Sequence, residues 1–336
     1  MATNITETVP TGAIRYNTDS NKMECFNGTK WMQVAVSSPD LNGGSRGLFG
    51  GGYTPTAINS INYITIETAG NAIDFGDLTY TDSNVCSSGA SRTRAMWFGG
   101  GTEPNLENDN INYVTIASTG NAADFGNLTV ARRGSSTVSN TTREVCCGGT
   151  TPTIQDTMDY VTIATTGNAV DFGDITIRAG QCTSTMPAAS PTRGVLAGGT
   201  GPANVSDISY ITIATTGNDQ QFGDLTTVSN SVGGCSNSTR AIFRIRETAF
   251  VDSIQIATTG NGSNFGSATP GLYGSMLSSP TRGVLGTFSA SPANDTGLNT
   301  IEYISFQTGG DFVEFGALNG TQRKFAGGCS NGHGGL

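Results

Sequence analysis

Three tripeptides in this chain have the composition of a metal-holding catalytic element: Asp74-Phe75-Gly76, Asp124-Phe125-Gly126 and Asp171-Phe172-Gly173. In phosphoryl transfer the Asp of such an element binds magnesium, and one copy suffices. Here each copy lies within a longer phrase: "YITIETAGNAIDFGDLT", "YVTIASTGNAADFGNLT" and "YVTIATTGNAVDFGDIT". Looser versions start at Tyr210, Ser253 and Tyr303, so the phrase occurs six times, with its aromatic at Phe75, Phe125, Phe172, Phe222, Phe265 and Phe315. A unit repeated six times is a fold signal, and the kinase-type chemistry falls away.

No other residues assemble into a catalytic set. The single histidine, His333, lies in a Gly-rich stretch, which offers nothing for Ser-His-Asp chemistry. Seven cysteines have no disulfide-framework or zinc-ligand spacing, and the one close pair, Cys146-Cys147, is adjacent. "ENDN" and "ANDTG" hold oxygen ligands without EF-hand spacing. Carboxylate-pair hydrolysis remains formally open, but the acids recur at equivalent repeat positions, which favours a structural role. We expect no catalytic residue, cofactor or metal, and read Trp31 and Trp97 as core.

A net charge of −9 and a pI near 4.6, with no Lys/Arg run, make nucleic acid a poor partner. "MATNITETVP" lacks a basic and an apolar region, and no apolar run reaches membrane-spanning length, so a soluble chain made without export is expected.

The elements that carry the repeat follow from composition and alternation. With 47 glycines, only 13% charged residues and much Ser, Thr and Asn, helix is disfavoured and short strands with tight turns are expected. Upstream of each phrase an Arg opens an apolar strand, b: Arg46, Arg94, Arg143, Arg193, Arg240 and Arg282. The Tyr-Ile-Thr-Ile run is strand c, alternating between two faces. The "TTGN" segment supplies a glycine turn into strand d, which carries Asp-Phe-Gly. Between one phrase and the next Arg lies a Ser/Gly/Ala/Cys-rich segment that fits a crowded inner strand, a, and holds Cys86, Cys182 and Cys235.

The array begins on strand b and ends on strand a, where "AGGCSNGHGGL" echoes "VGGCSNSTRAI". The orphan strand from Ala326 onward is therefore expected to complete the set that starts at Arg46. Six four-stranded units result, with no open sheet edge.

The order of small strand, Arg, apolar strand with a Gly pair, Tyr-bearing strand, turn and aromatic strand resembles the kelch repeat over about Gly43 to Leu336. Phe stands where the kelch pattern usually has Trp, and the Gly pair is absent at Arg240 and Arg282. The resemblance implies an all-β fold, a six-bladed β-propeller closed by pairing of N- and C-terminal strands, and no particular function.

Residues 1–40 read separately. "TGAIRYNTDSNKMECFNGTKWMQVAV" holds three alternating runs divided by "NTDSN" and "NGT", the pattern of a β-meander. Gly12, Arg15, Tyr16, Asn17, Thr18, Glu24, Gly28 and Trp31 resemble a short module that precedes exposed domains of tailed-bacteriophage fibre and other virion proteins. With the Ser/Thr/Gly/Asn-rich repeats, the chain resembles structural proteins of marine cyanophages. That resemblance implies a virion protein assembled in the host cytoplasm, anchored through Arg15, Tyr16, Glu24 and Trp31, with residues 41–336 displayed. Its partners would be other virion proteins and host-surface glycan, with self-association on the particle left open.

Two sets of residues remain for recognition. The six Arg are expected to lie on one face near Asp74, Asp124, Asp171 and Glu314, either paired with them or receiving an anionic sugar or carboxylate. The b-to-c spacing varies, at 17, 19, 17, 17, 13 and 21 residues from Arg to the phrase. Its long polar loops offer Glu103, Asn105, Glu107 and Asp109, and Asn294 and Asp295, as ligand contacts.

Overall fold

The computed structural model describes residues 9–17, 22–33, 45–54, 56–82, 87–101, 107–177, 188–199, 203–229, 232–245, 248–272, 274–289, 297–320 and 322–336. Among them there is no helix: the protein is all-β, in two compact units, Met1–Leu41 and Asn42–Leu336. The Asp/Asn loop residues Glu103, Asn105, Asn294 and Asp295, and Cys86 and Cys182, lie outside the described residues.

The first unit is an antiparallel sheet of β1 (Ile14–Asn17), β2 (Lys22–Phe26) and β3 (Trp31–Gln33). The second holds six sheets, each with strands in the order a, b, c, d. In the second sheet these are Ser87–Ala90, Arg94–Phe98, Asn108–Thr115 and Ala123–Arg132. The first sheet takes b, c and d from Arg46–Gly50, Ile58–Thr65 and Ile73–Asp82, and its strand a is Gly327–Ser330, paired antiparallel with Arg46–Gly50. The fifth sheet gains a further strand, Gly310–Asp311, which pairs parallel with Ser263–Ser267.

Successive sheets are bonded to one another at the c–d turn. The amide of Gly120 donates to the Phe75 carbonyl (2.8 Å), Gly167 to Phe125 (2.8 Å), Gly217 to Phe172 (2.7 Å) and Gly260 to Phe222 (2.9 Å). Phe312 donates to Ser267 (2.7 Å), and Gly70 returns from the first sheet to Phe315 of the sixth (2.9 Å). The turn Asn repeats the link with its side chain: Asn71, Asn121, Asn168, Asn218 and Asn261 accept from amides of the preceding sheet at 3.0–3.1 Å.

This approach explains the glycine of the repeated tripeptide. A Cβ on Gly76, Gly126, Gly173 or Gly316 would overlap the carbonyl oxygen of Gly120, Gly167, Gly217 or Gly70 in the neighbouring turn. Gly76 and Gly126 also hold φ at 148°, which L side chains rarely adopt. The tripeptide thus divides into an exposed Asp, a buried Phe and a Gly that makes room for the next sheet.

Side-chain volume is traded across the same interfaces. Gly47, at the second position of strand b, leaves space for Leu277 of the sheet before it, a Cβ there lying 2.6 Å from Leu277 Cδ1. Gly194 does the same for Val138 (2.5 Å) and Gly283 for Cys235 (2.9 Å). In the third sheet the order is reversed: Glu144 occupies that position and Gly89 makes the room. The apolar clusters accordingly mix adjacent sheets, as with Met96 and Phe98 against Val161 and Ile163.

Gly126→Ala is expected to lower unfolding stability by about 1–3 kcal/mol, from steric overlap and an unfavourable φ. Gly120→Ala, where a Cβ meets nothing within 4 Å, separates the two causes in urea melts, because it carries only the backbone penalty.

Candidate functional site

The six arginines that open strand b are half-buried, and each is held twice. The guanidinium lies over the Tyr of its own strand c, at 5.0 Å for Arg46 on Tyr63, 4.8 Å for Arg94 on Tyr113, 4.5 Å for Arg143 on Tyr160, and 4.6 Å for Arg193 on Tyr210 and Arg282 on Tyr303. Its Nη1 donates to a carbonyl of the following sheet: Arg46 to Ile116 (2.8 Å), Arg94 to Ile163 (2.7 Å), Arg143 to Ala214 (2.7 Å), Arg193 to Ala257 (2.9 Å), Arg240 to Phe306 (2.6 Å) and Arg282 to Glu67 (3.0 Å). Each Tyr in turn meets its Phe edge-on, Tyr63 on Phe75 at 5.9 Å and 80°, Tyr113 on Phe125 at 5.7 Å and 84°. Where Ser253 replaces the Tyr, Arg240 drops onto Phe265 itself at 4.8 Å.

This corrects the expected pairing of the arginines with Asp74, Asp124, Asp171 and Glu314. Register is the reason: Asp74 opposes Asn62, whereas Arg46 stacks on Tyr63, one residue along and so on the other face. The three Asp are exposed, and the arginines satisfy a strand-end carbonyl instead. What the repeat brings together is a cation, two aromatic rings and a backbone oxygen, an arrangement that joins sheets.

A second layer of polar contacts lies deeper, one residue along strand c. Asn62, Asn112, Asp159, Asp252 and Glu302 occupy this position and are buried. Asn112 accepts from Thr79 of the sheet before it (Oγ1, 2.6 Å), Asp159 from Thr129 (2.7 Å) and Asp252 from Thr226 (2.8 Å). Arg132 adds a fully buried ion pair with Asp159 (2.8 Å), and Arg323 donates to Asn62 (2.9 Å). Burial lowers Arg244 to about 10, opposed by the carboxylate of Glu302.

Glu144 departs from this scheme. It is fully buried, and neither carboxyl oxygen has a hydrogen-bond partner among the described residues. Burial raises its carboxyl well above the usual range, and its proximity in turn helps burial raise the Cys329 thiol.

Of the loop candidates, Glu107 faces Arg133 across 3.8 Å and Asp109 accepts from Asn127 Nδ2 at 3.3 Å, so both are engaged within their own surroundings. In the first unit, Arg15 donates from Nε to Glu24 (2.9 Å), pairs with it through Nη2 (2.8 Å) and lies 4.1 Å over Trp31. Asn17 donates to the other Glu24 oxygen (3.0 Å), and Phe26 packs on Trp31 at 5.4 Å. The Arg15 hydrogen bond, followed by that of Asn17, lowers the Glu24 carboxyl. Arg15, Glu24 and Trp31 therefore form one cluster. Tyr16 lies on the opposite face with Ile14, Met23 and Met32, which are 41–64% exposed together with Tyr16 at 55%. The spacing of this apolar row was readable in the sequence, but its exposure was not.

No family model matches the chain, and no curated protein matches it.

Glu144→Gln tests the buried carboxyl. A raised folded-state value means that stability is penalised once pH exceeds the unfolded carboxyl range, increasingly as pH rises toward the folded value. The variant is expected to melt higher than the native protein at pH 8 and to match it near pH 4; equal melting at both would rule out the unpaired carboxyl as a pH-dependent liability.

Proposed function

We propose that this chain is a non-enzymatic virion protein of a tailed bacteriophage, a six-bladed kelch-like β-propeller carried on a small anchoring sheet. The observation that carries the propeller reading is the cyclic order of inter-sheet bonds, from the first sheet through the sixth and back, with Gly327–Ser330 completing the sheet of Arg46–Gly50. A closed set of blades removes free edges, and its b–c loops on a rigid base suit recognition of a host-surface glycan. The virion reading rests on the phage-type phrase around Arg15, Tyr16, Glu24 and Trp31. The exposed row Ile14, Tyr16, Met23 and Met32 adds to it, because a three-stranded sheet with an apolar face needs a covering surface. The non-enzymatic reading is consistent with Asp residues that recur by repeat and a single histidine that is buried.

A second reading, a head or tail decoration protein that only packs on other virion subunits, draws on Ile73, Val170 and Val313. They occupy one repeat position on strand d and are 50–56% exposed. Apolar side chains recurring on an outer strand fit protein contact better than sugar.

Deleting residues 1–40 is expected to leave thermal melting of the remaining unit unchanged and to remove the protein from purified particles. Incorporation at the native level would overturn the anchoring role. On particles, glycan-array binding lost when the b–c loops are exchanged supports attachment; loops buried against neighbouring subunits in cryo-electron microscopy support decoration.

A further inference from the structure

The segment Asn331–Leu336 is bonded to the first, second, third and fifth sheets of the second unit and lies close against the fourth and the turn beside the sixth. Asn331 accepts from the Arg46 amide through Oδ1 (2.7 Å) and donates its own amide to the Arg46 carbonyl (3.2 Å). His333 Nε2 lies 2.7 Å from the Ala90 carbonyl in the second sheet and 3.2 Å from Ser139 Oγ in the third. Gly334 donates to the Ser236 carbonyl in the fifth sheet (2.8 Å), and Gly335 donates to His333 Nδ1 (3.1 Å). Fit is as close as bonding: a Cβ on Gly332 would overlap Ser45 and lie 3.4 Å from Ser279 beside the sixth sheet, and one on Gly334 would overlap the Ala189 carbonyl of the fourth.

These bonds fix the imidazole. Nδ1 accepts the Gly335 amide, so the proton sits on Nε2 and is donated to Ala90. Beneath the ring is a small cavity lined by Thr137, Ser139, Cys235, Ser236 and Ser278. The inner strands there are stitched by their own hydroxyls: Ser139 donates to Ala90 (3.0 Å), Ser236 to Ala189 (2.8 Å) and Ser278 to Ser236 (2.8 Å). The second and fourth sheets carry Ala90 and Ala189 at this position, and have no hydroxyl to give.

We propose that Asn331–Leu336 is a latch across the inner strands of the six sheets, closed by neutral His333 and opened by its protonation. A proton on Nδ1 removes the acceptor for Gly335 and places a cation in a site whose neighbours cannot balance it. Among the described residues, Arg92, from the turn after the second sheet's inner strand, acts on it and is also cationic; Glu144, opposite Ser139 and packed on Gly89, is a carboxyl that burial favours in its neutral form. Cys235 is the titratable group on the fifth sheet's inner strand, and burial holds it as the thiol. The remaining lining side chains are Ser, Thr and Ala.

Burial lowers His333 from 6.5 to about 4, opposed by the Ala90 bond and reinforced by Arg92. The sign follows: the latch is at full strength above the exposed value of 6.5, weakens as pH falls, and has lost its advantage once pH passes through about 4. Each pH unit within that window weakens closure up to tenfold, about 300-fold in all.

As this is the chain's one histidine, imidazole nitrogen NMR reports on it alone. In the full-length protein we expect the Nε2–H tautomer at pH 7 and titration near 4. Protection of the Gly334 and Gly335 amides, corrected for intrinsic exchange, should fall by up to about 300-fold over the same range while amides of the b strands stay protected. In His333→Gln, whose side-chain amide can still donate to Ala90 and does not titrate, that protection should stay flat. Titration near 6.5 with Gly334 still protected, the Nδ1–H tautomer, or an equal loss of protection in His333→Gln would each overturn the latch. The last outcome would assign the opening to carboxylates instead. Should the Gln variant not fold, the tautomer and titration of the native chain decide.

Discussion

Adjacent sheets in the second unit stand so close at the c–d turn that a main-chain oxygen of one fills the space where the other would have a side chain. Everything else in the repeat serves that approach. It needs glycine after the Phe, an amide from the turn aimed at the Phe carbonyl, and an Asn beside it to take the next amide. The amide and Asn links recur at five junctions, and at the sixth, between the fifth and sixth sheets, Phe312 donates to Ser267 while Gly266 still makes room for Gly310.

With that contact fixed, the side chains divide the remaining work by depth. Arginine seals the strand ends by donating to a neighbouring carbonyl while its flat face rests on Tyr, and Phe supports the Tyr edge-on. Deeper, carboxylate and amide groups take Thr hydroxyls across the gap. Volume is balanced pairwise, large against Gly. Glu144 keeps that balance of volume but not of polarity: it fills the hole left by Gly89 with a group that finds no donor among the described residues, in a position where Gly and Ala occur elsewhere.

Much of this was legible in the sequence. The order of strands, the small residues of strand a and the completion of the first sheet by the strand at Gly327 followed from repeat spacing and alternation, because a period of two leaves few choices of face. The partners of the arginines did not follow. Like-numbered Asp residues invited an ion pair, and only the register that sets Ile73 opposite Tyr63 shows that Asp74 takes the far face. The Asn of "TTGN" read as turn chemistry, since nothing local reveals that its oxygen serves another sheet. His333 read as an idle residue in a Gly-rich stretch, whereas those glycines are what let the segment thread between strands. In the first unit, alternation gave the three strands, but not which face packs inward.

The first sheet joins Arg46–Gly50 to a strand translated after almost all the rest of the unit. On the ribosome its three early strands must therefore wait with an unpaired inner edge while five further sheets emerge. Pairing so distant in sequence is slow to form, and an unpaired edge is sticky while it waits. A prematurely terminated product can never satisfy it. Completion of that sheet thus requires a chain synthesised through Ser330, and shortened products keep the edge of Arg46–Gly50 unpaired.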